Sequence, residues 1–272
     1  MSSQKKLALS EAERVETSLE ISGSRRIPRF LDPARNDKAH DAARPLFAEL
    51  TIYQNKTPHP ARINMGLDEA ILEFAVGPTI RFYRWGSPAL SFGYFGKFSD
   101  VAIYAAERDL VRRWTGGGIV FHGDDLTYSI VIPASDPVFD ESSIAIYEKI
   151  HRALCRALAG HNQGAELNVA TLDNRRTGDR HSLHNDCFGN PVRADVMMNG
   201  RKIAGAAQRR THRGLLQQGS IQGFTMNCDL ASKFAQALSL NCNDFEVSER
   251  IFQRAQEIAQ QKYGTESWLR KR

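Results

Sequence analysis

Arg112-Arg113-Trp114-Thr115-Gly116-Gly117-Gly118-Ile119-Val120-Phe121-His122 sets the reading of this chain. Two adjacent cations precede three glycines, and a β-branched, aromatic run ends in His122. Glycine lets backbone bend tightly and approach a ligand closely. Successive backbone N–H groups in such a turn form a concave anion site, and arginine adds a planar fork that matches phosphate or carboxylate. The loop suits an anionic or acyl-bearing small molecule. On composition alone it also reads as a β-turn at a charged strand end. It is neither a Walker A loop nor G-x-G-x-x-G.

On the N-terminal side, Ile63, Leu67, Ala70, Ile71 and Phe74 recur at helical spacing and predict a helix over 62–75. Thr79 to Trp85 and Ala89 to Phe92 read as strands, and Ser99 or Asp100 should cap a helix reaching about Arg108. On the C-terminal side, Leu126 to Ile132 reads as a strand stopped by Pro133. Ile144, Tyr147, Ile150, Leu154 and Leu158 predict a helix ended by Gly160. A charged loop covers 171–186. Asp195 to Met198 and Arg201 to Ala204 flank Asn199-Gly200, which accepts the positive φ angles of a type I′ hairpin. Gly214 to Ile221 is a further strand, and helices near 229–238 and 247–262 follow. Helices, short strands and hairpins interleave, so the class is α+β: a mixed, largely antiparallel sheet flanked by helices.

Residues 1–45 are rich in charge, Ser and Pro, and read as a flexible or loosely docked extension before a catalytic domain over 46–272. The 272 residues are 42% hydrophobic and 25% charged, as in an ordinary globular protein. No apolar run reaches the roughly 18 residues of a membrane span, and Met1 to Leu9 lacks a secretory core, so the expectation is a cytoplasmic protein with no membrane partner. Cys155, Cys187, Cys228 and Cys242 show no C-x-x-C spacing, so neither a metal site nor a disulfide framework is expected. The net charge of +5 is mild and no nucleic-acid motif stands out. Charge is concentrated at Arg193, Arg201, Lys202, Arg209, Arg210 and Arg213, opposed only by Asp195. That run is a solvated face or a docking surface for an acidic partner.

Four motifs in order resemble the lipoate–protein ligase, octanoyltransferase and biotin–protein ligase superfamily. They are Asn64-Met65-Gly66-Leu67-Asp68-Glu69-Ala70, Pro88-Ala89-Leu90-Ser91-Phe92-Gly93, the loop at 112–122, and Gly200-Arg201-Lys202-Ile203-Ala204-Gly205-Ala206-Ala207-Gln208. The resemblance implies that family's sheet fold and the attachment of octanoyl or lipoyl groups to a lysine of a lipoyl carrier domain. It implies that Lys202 is catalytic. An ammonium beside a thioester or acyl-phosphate carbonyl stabilises the developing oxyanion. Strand alternation predicts that Lys202 shares its face with Ala204 and Ala206. Arg112, Arg113, Gly116, Gly117, Gly118, His122, Gly205 and Ala206 are then the expected substrate-binding residues. His122 reads equally as a structural histidine, and Asp68 as a structural group that orients backbone or an arginine.

The superfamily divides by chemistry. Cys187, in Asn185-Asp186-Cys187-Phe188-Gly189, precedes Lys202 as a Cys-Phe pair does in the cysteine-dependent octanoyltransferase branch. The resemblance therefore implies Cys187 as nucleophile, an acyl carrier protein or lipoyl carrier protein as donor, a lipoyl-domain acceptor and no required cofactor. The absence of room for the ligases' accessory domain after the last helix points the same way. The alternative is a lipoate–protein ligase that uses ATP and magnesium through a lipoyl-adenylate. A non-catalytic acyl or carrier binder is the third reading, and an amidotransferase between two carriers would use the same cysteine chemistry. The chain departs from the family where Gly123 follows the loop histidine ahead of Asp124 and Asp125, and where Ala206 replaces a serine.

Overall fold

Apolar residues at alternating positions along the strands supply two cores, one on each face of a single large sheet. The computed structural model describes residues 44–55, 57–159, 164–169, 188–189 and 191–271. The predicted extension thus lies almost wholly outside the described residues, as do Cys187, Gly160 and the loop at 171–186. In chain order the strands are β1 (Leu50–Gln54), β2 (Thr79–Tyr83), β3 (Ala89–Phe92), β4 (Asp109–Arg112), β5 (Ile119–His122), β6 (Leu126–Pro133), β7 (Ala165–Leu167), β8 (Val196–Met198), β9 (Arg201–Thr211), β10 (Gly214–Ile221) and β11 (Cys242–Phe245). The helices are α1 (Ala61–Phe74), α2 (Ser143–Leu158), α3 (Leu230–Leu238), α4 (Glu249–Ile258), which continues as a π turn over Ala259–Tyr263, and the short α5 (Glu266–Leu269).

Eight strands form a sheet in the order β11-β1-β2-β6-β10-β9-β8-β7. The β11–β1 and β1–β2 pairs are parallel and the remaining pairs antiparallel. A second sheet, β4-β3-β5, pairs β3 parallel to β4 and antiparallel to β5. This is the expected mixed, largely antiparallel α+β fold. Along β6, Tyr128, Ile130 and Ile132 face one core with α2 and α3, while Val131 faces the other with α1 and α4. Ser142 caps α2 through a bond from Ala145 N, a contact that contributes about 1 kcal/mol. Gly66 lets α1 press against α4, because a Cβ there would strike the Ala255 carbonyl.

The hairpin at Asn199-Gly200 has φ of 51° and 72°, the two positive values that its turn type requires. The helix expected over 99–108 is instead two 3-10 turns, Phe98–Asp100 and Ala102–Tyr104. Val101 is buried and packs with Tyr104, a three-residue spacing that suits the tighter helix, while Ile103 points to solvent. Ser99 bonds the Asp100 side chain rather than a backbone N–H. No helix among the described residues is long and apolar enough to cross a membrane.

Candidate active site

One irregularity in β9 builds the site. Val196 pairs with Ala204 and the next residue, Met197, pairs with Lys202, so Ile203 is an extra residue on the β9 side. Such a bulge re-aims the side chain before it. Ala204 and Ile203 enter the core with α2 and α3, and Ala206 packs against it. Lys202 swings to the opposite face and lies across Gly205, where an added Cβ would stand 2.5 Å from Lys202 Cε and 2.7 Å from Nζ. The expectation that Lys202, Ala204 and Ala206 share a face is therefore corrected. The lysine shares its face with Gly205, and Gly205 must be a glycine to make room.

The Lys202 ammonium is nearly buried (3% exposed) and donates to Asp195 Oδ2 at 2.7 Å. Asp195 is fully buried. It also accepts the Val192 N–H at 2.7 Å and the Tyr147 hydroxyl at 2.5 Å, and that hydroxyl in turn accepts the Ala206 N–H at 3.1 Å. Burial, then the Asp195 charge, push the Tyr147 phenol far above its ordinary range, so it stays a neutral donor. The His151 imidazole packs beside Tyr147, with ring centres 4.2 Å apart, and burial pushes its pKa down to about 4. Sequence reasoning missed Asp195 and Tyr147 as site residues. The one available signal was that Asp195 is the only acid within the basic run.

Lys202 opens onto a cavity of about 450 Å³, mouth included, between the large sheet and the three-stranded one. Met65, Tyr83, Trp85, Val120 and Phe188 give it apolar walls, with Ala206 and Gly205 beside the lysine. The Lys202 ammonium stands 5.3 Å from the Phe188 ring centre. Phe188 directly follows Cys187 in sequence.

The opposite wall carries a relay. Arg113 Nη1 donates to Ser91 Oγ at 2.7 Å, Ser91 Oγ lies 2.6 Å from His122 Nε2, and His122 Nδ1 lies 2.8 Å from Asp125 Oδ2. Burial lowers the His122 pKa against the opposing bond from Asp125, so the imidazole is neutral near pH 7. Burial alone would raise the Asp125 carboxyl, but bonds from His122, Ser220 and Thr127 hold it below its ordinary value. These states place the His122 proton on Nδ1 toward Asp125 and leave Nε2 to accept from Ser91. His122 also stacks on Trp85 at 4.0 Å. The loop acid displaced in sequence thus reaches the histidine as Asp125. Asp68 orients Arg81 at 2.7 Å, as a structural acid would, and also accepts from Tyr83, Ser129 and Gln218.

Other expected binding residues lie elsewhere. Arg112 is fully buried and spends its fork on the carbonyls of Trp268, Leu269 and Lys271 and of Tyr94 and Gly96, at 2.7–3.2 Å. It clamps the C-terminal segment and does not face the cavity. Arg113 does line the cavity, and its second nitrogen holds the Gly116 and Gly118 carbonyls. Gly116, Gly117 and Gly118 are not in the cavity lining; their loop is pressed against Gly93, where a Cβ would collide with the Gly117 carbonyl. The basic run does not form one patch either. Arg210 binds the Phe139 and Glu141 carbonyls, Arg193 stands by Glu148, and Arg209 points to the opposite sheet face from Arg210.

The chain belongs to the lipoyl protein ligase A/B catalytic domain family, whose model matches residues 60–259. Among curated relatives, it is 37% identical to octanoyltransferase LipM of Oceanobacillus iheyensis over 65% of each chain. It is 31% identical to octanoyltransferase LipM of Symbiobacterium thermophilum over 77% of this chain and 94% of that one. The chain thus spans just under two thirds of the first relative's length and nearly all of the second's. The fold matches a lipoate-protein ligase A crystallised with ATP, with TM-score 0.64 and 21% identity over 82% of this chain and 98% of that one. It also matches the bi-partite lipoate protein ligase of Thermoplasma acidophilum, with TM-score 0.61 and 20% identity over 82% and 96%.

Proposed function

We propose that the chain is an octanoyltransferase of protein lipoylation that works through a thioester on Cys187, in the cytoplasm where the sequence reading places it. The Cys187 thiolate attacks the carbonyl of a carrier-bound octanoyl thioester. A new carbon–sulfur bond forms, and the carrier thiolate leaves and takes up a proton. The lysine amine of a lipoyl domain then attacks, an amide forms, the amine proton is shed and the Cys187 thiol is regenerated. One thioester replaces another in the first step, so no nucleotide is needed. In both steps Lys202 holds the carbonyl oxygen as it becomes an oxyanion.

One observation carries this reading: a nearly buried ammonium, fixed by Asp195, lies over a glycine in an apolar cavity that Phe188 walls. Such a cavity takes an alkyl chain, and Lys202 presents its charge to the carbonyl. The names of the curated relatives support transfer over ligation, and the ligase neighbours share the fold. The remaining substrate roles fall to Arg113 and His122, whose relay shapes the wall opposite Lys202, with Gly205 and Ala206 beside it. The test is ATP-free transfer from octanoyl-acyl carrier protein to a lipoyl domain. Transfer that is lost in Cys187→Ala and Lys202→Met supports the reading. Acceptor modification that requires free lipoate and ATP, and survives Cys187→Ala, makes the chain a ligase.

A further inference from the structure

Alternation along β9 puts Gly205, Ala207 and Arg209 on one face, and the first two line the cavity. At Arg209 the character changes from apolar to cationic. The guanidinium stands 5.3 Å from the ring centres of both Tyr94 and Trp114. Lys262 stands 4.3 Å from Trp114 and 4.6 Å from Trp268, and Lys271 stands 4.6 Å from Tyr94. Three cations therefore crowd one aromatic cage. Glu69 accepts from Lys262 and from the Tyr263 hydroxyl, each at 2.6 Å. Burial lowers the Lys262 pKa against the opposing bond and charge of Glu69, and the charges of Arg209 and Lys271 add to the lowering. Arg209 Nε is buried and has no hydrogen-bond partner among the described residues.

Lys271 donates to the Tyr94 hydroxyl at 2.5 Å and Lys262 to Glu69, but the aromatic faces that hold Arg209 offer its Nε–H no acceptor, and like charges repel at this range. An anion with several acceptor oxygens removes both costs, and a phosphate matches the arginine fork. The cage is built to last. Arg112 ties down the carbonyls of Trp268 and Lys271, fixing the C-terminal wall. Tyr94, Trp114 and Arg209 lie within the 60–259 match, while Lys262, Trp268 and Lys271 come from the segment beyond it.

We propose that Tyr94, Trp114, Arg209, Lys262 and Lys271 form a phosphate site that takes the phosphodiester of the donor's pantetheine arm. The assignment to that arm rests on the transferase reading; the phosphate site does not. From Gly205 to Arg209 an extended strand covers about 13 Å, and the arginine side chain reaches further. That span is within reach of an extended pantetheine arm whose thioester lies at Lys202. The site also relocates the anion contact, which the sequence placed on Arg112 and the glycines.

The test is direct binding to the full chain, read by calorimetry and by Trp114 and Trp268 fluorescence. Octanoyl-pantetheine and octanoyl-4′-phosphopantetheine, in non-hydrolysable thioether form, differ only in the phosphate. The phosphate should tighten binding about tenfold. Arg209→Gln should erase that gain and leave octanoyl-pantetheine binding unchanged. Lys271→Gln should reduce it. Equal affinity for the two ligands, or a gain that survives both variants, overturns the proposal. ATP that binds competitively and needs Arg209 would make the site a nucleotide phosphate site and overturn the assignment to the arm. The transferase reading fails separately, if octanoyl-phosphopantetheine thioester leaves no acyl group on the protein.

Discussion

Lys202, on β9, and Asp195, the residue before β8, form a 2.7 Å ion pair whose side chains are 3% and 0% exposed. Breaking such a pair from one side strands a buried charge, at a cost of about 3 kcal/mol or more. Asp195→Asn should lower stability by about that much and slow transfer. Lys202→Met combined with Asp195→Leu should be more stable than either single variant. Urea unfolding of wild type, Lys202→Met, Asp195→Leu and the double variant reads this cycle, and strict additivity would show that the pair is not coupled.

Gly205→Ala tests the bulge. The added methyl displaces the flexible end of Lys202 rather than backbone. Because the displaced ammonium is the one paired with Asp195, stability should fall by about 1–3 kcal/mol, and the transfer rate should fall about a hundredfold, the scale of losing one oxyanion donor. A variant with normal kcat would place the working position of Lys202 away from Gly205.

His151 links stability to pH. Its folded pKa, about 4, lies below the unfolded value near 6.5. The unfolded state binds the extra proton, so stability is full above about pH 6.5 and declines as pH falls toward 4, by up to about 3 kcal/mol. The depressed Asp125 carboxyl adds a further loss below that window, as its proton returns. Stability measured across pH 4–8 in wild type and His151→Gln should show the steeper slope only in wild type. Parallel slopes would refute the assignment.

Arg112 bonds carbonyls 156–159 positions away in sequence. Arg112→Lys cannot reproduce a fork that serves several acceptors. It should release the segment around α5, seen as faster amide exchange over 266–271 and a stability loss of about 2 kcal/mol. Unchanged exchange there would deny the clamp.

The parts legible in sequence were those set by local pattern. Helical spacing located α1 and α2, short strand-forming runs beside Gly or Pro located β3, β6 and β10, and Asn199-Gly200 fixed its hairpin. Edge strand β11 was not legible, because Cys242–Phe245 is mostly exposed and carries no buried face. In the site, the motif pointed to Lys202, but its orientation depends on one extra residue, Ile203, which no alternation count reveals. Arg112 looked like an anion fork because its acceptors come from the far end of the chain. Asp195 and Asp125 act through side chains brought in by folding: Tyr147 is 48 positions from Asp195, and Ser220 is 95 from Asp125.

The most direct measurement of the central claim is the intact mass of the full chain after mixing with octanoyl-acyl carrier protein without ATP. The account predicts a gain of one octanoyl group that is absent in Cys187→Ala, reversed by hydroxylamine and discharged by a lipoyl domain. No gain in wild type, or a gain that persists in Cys187→Ala, would contradict it.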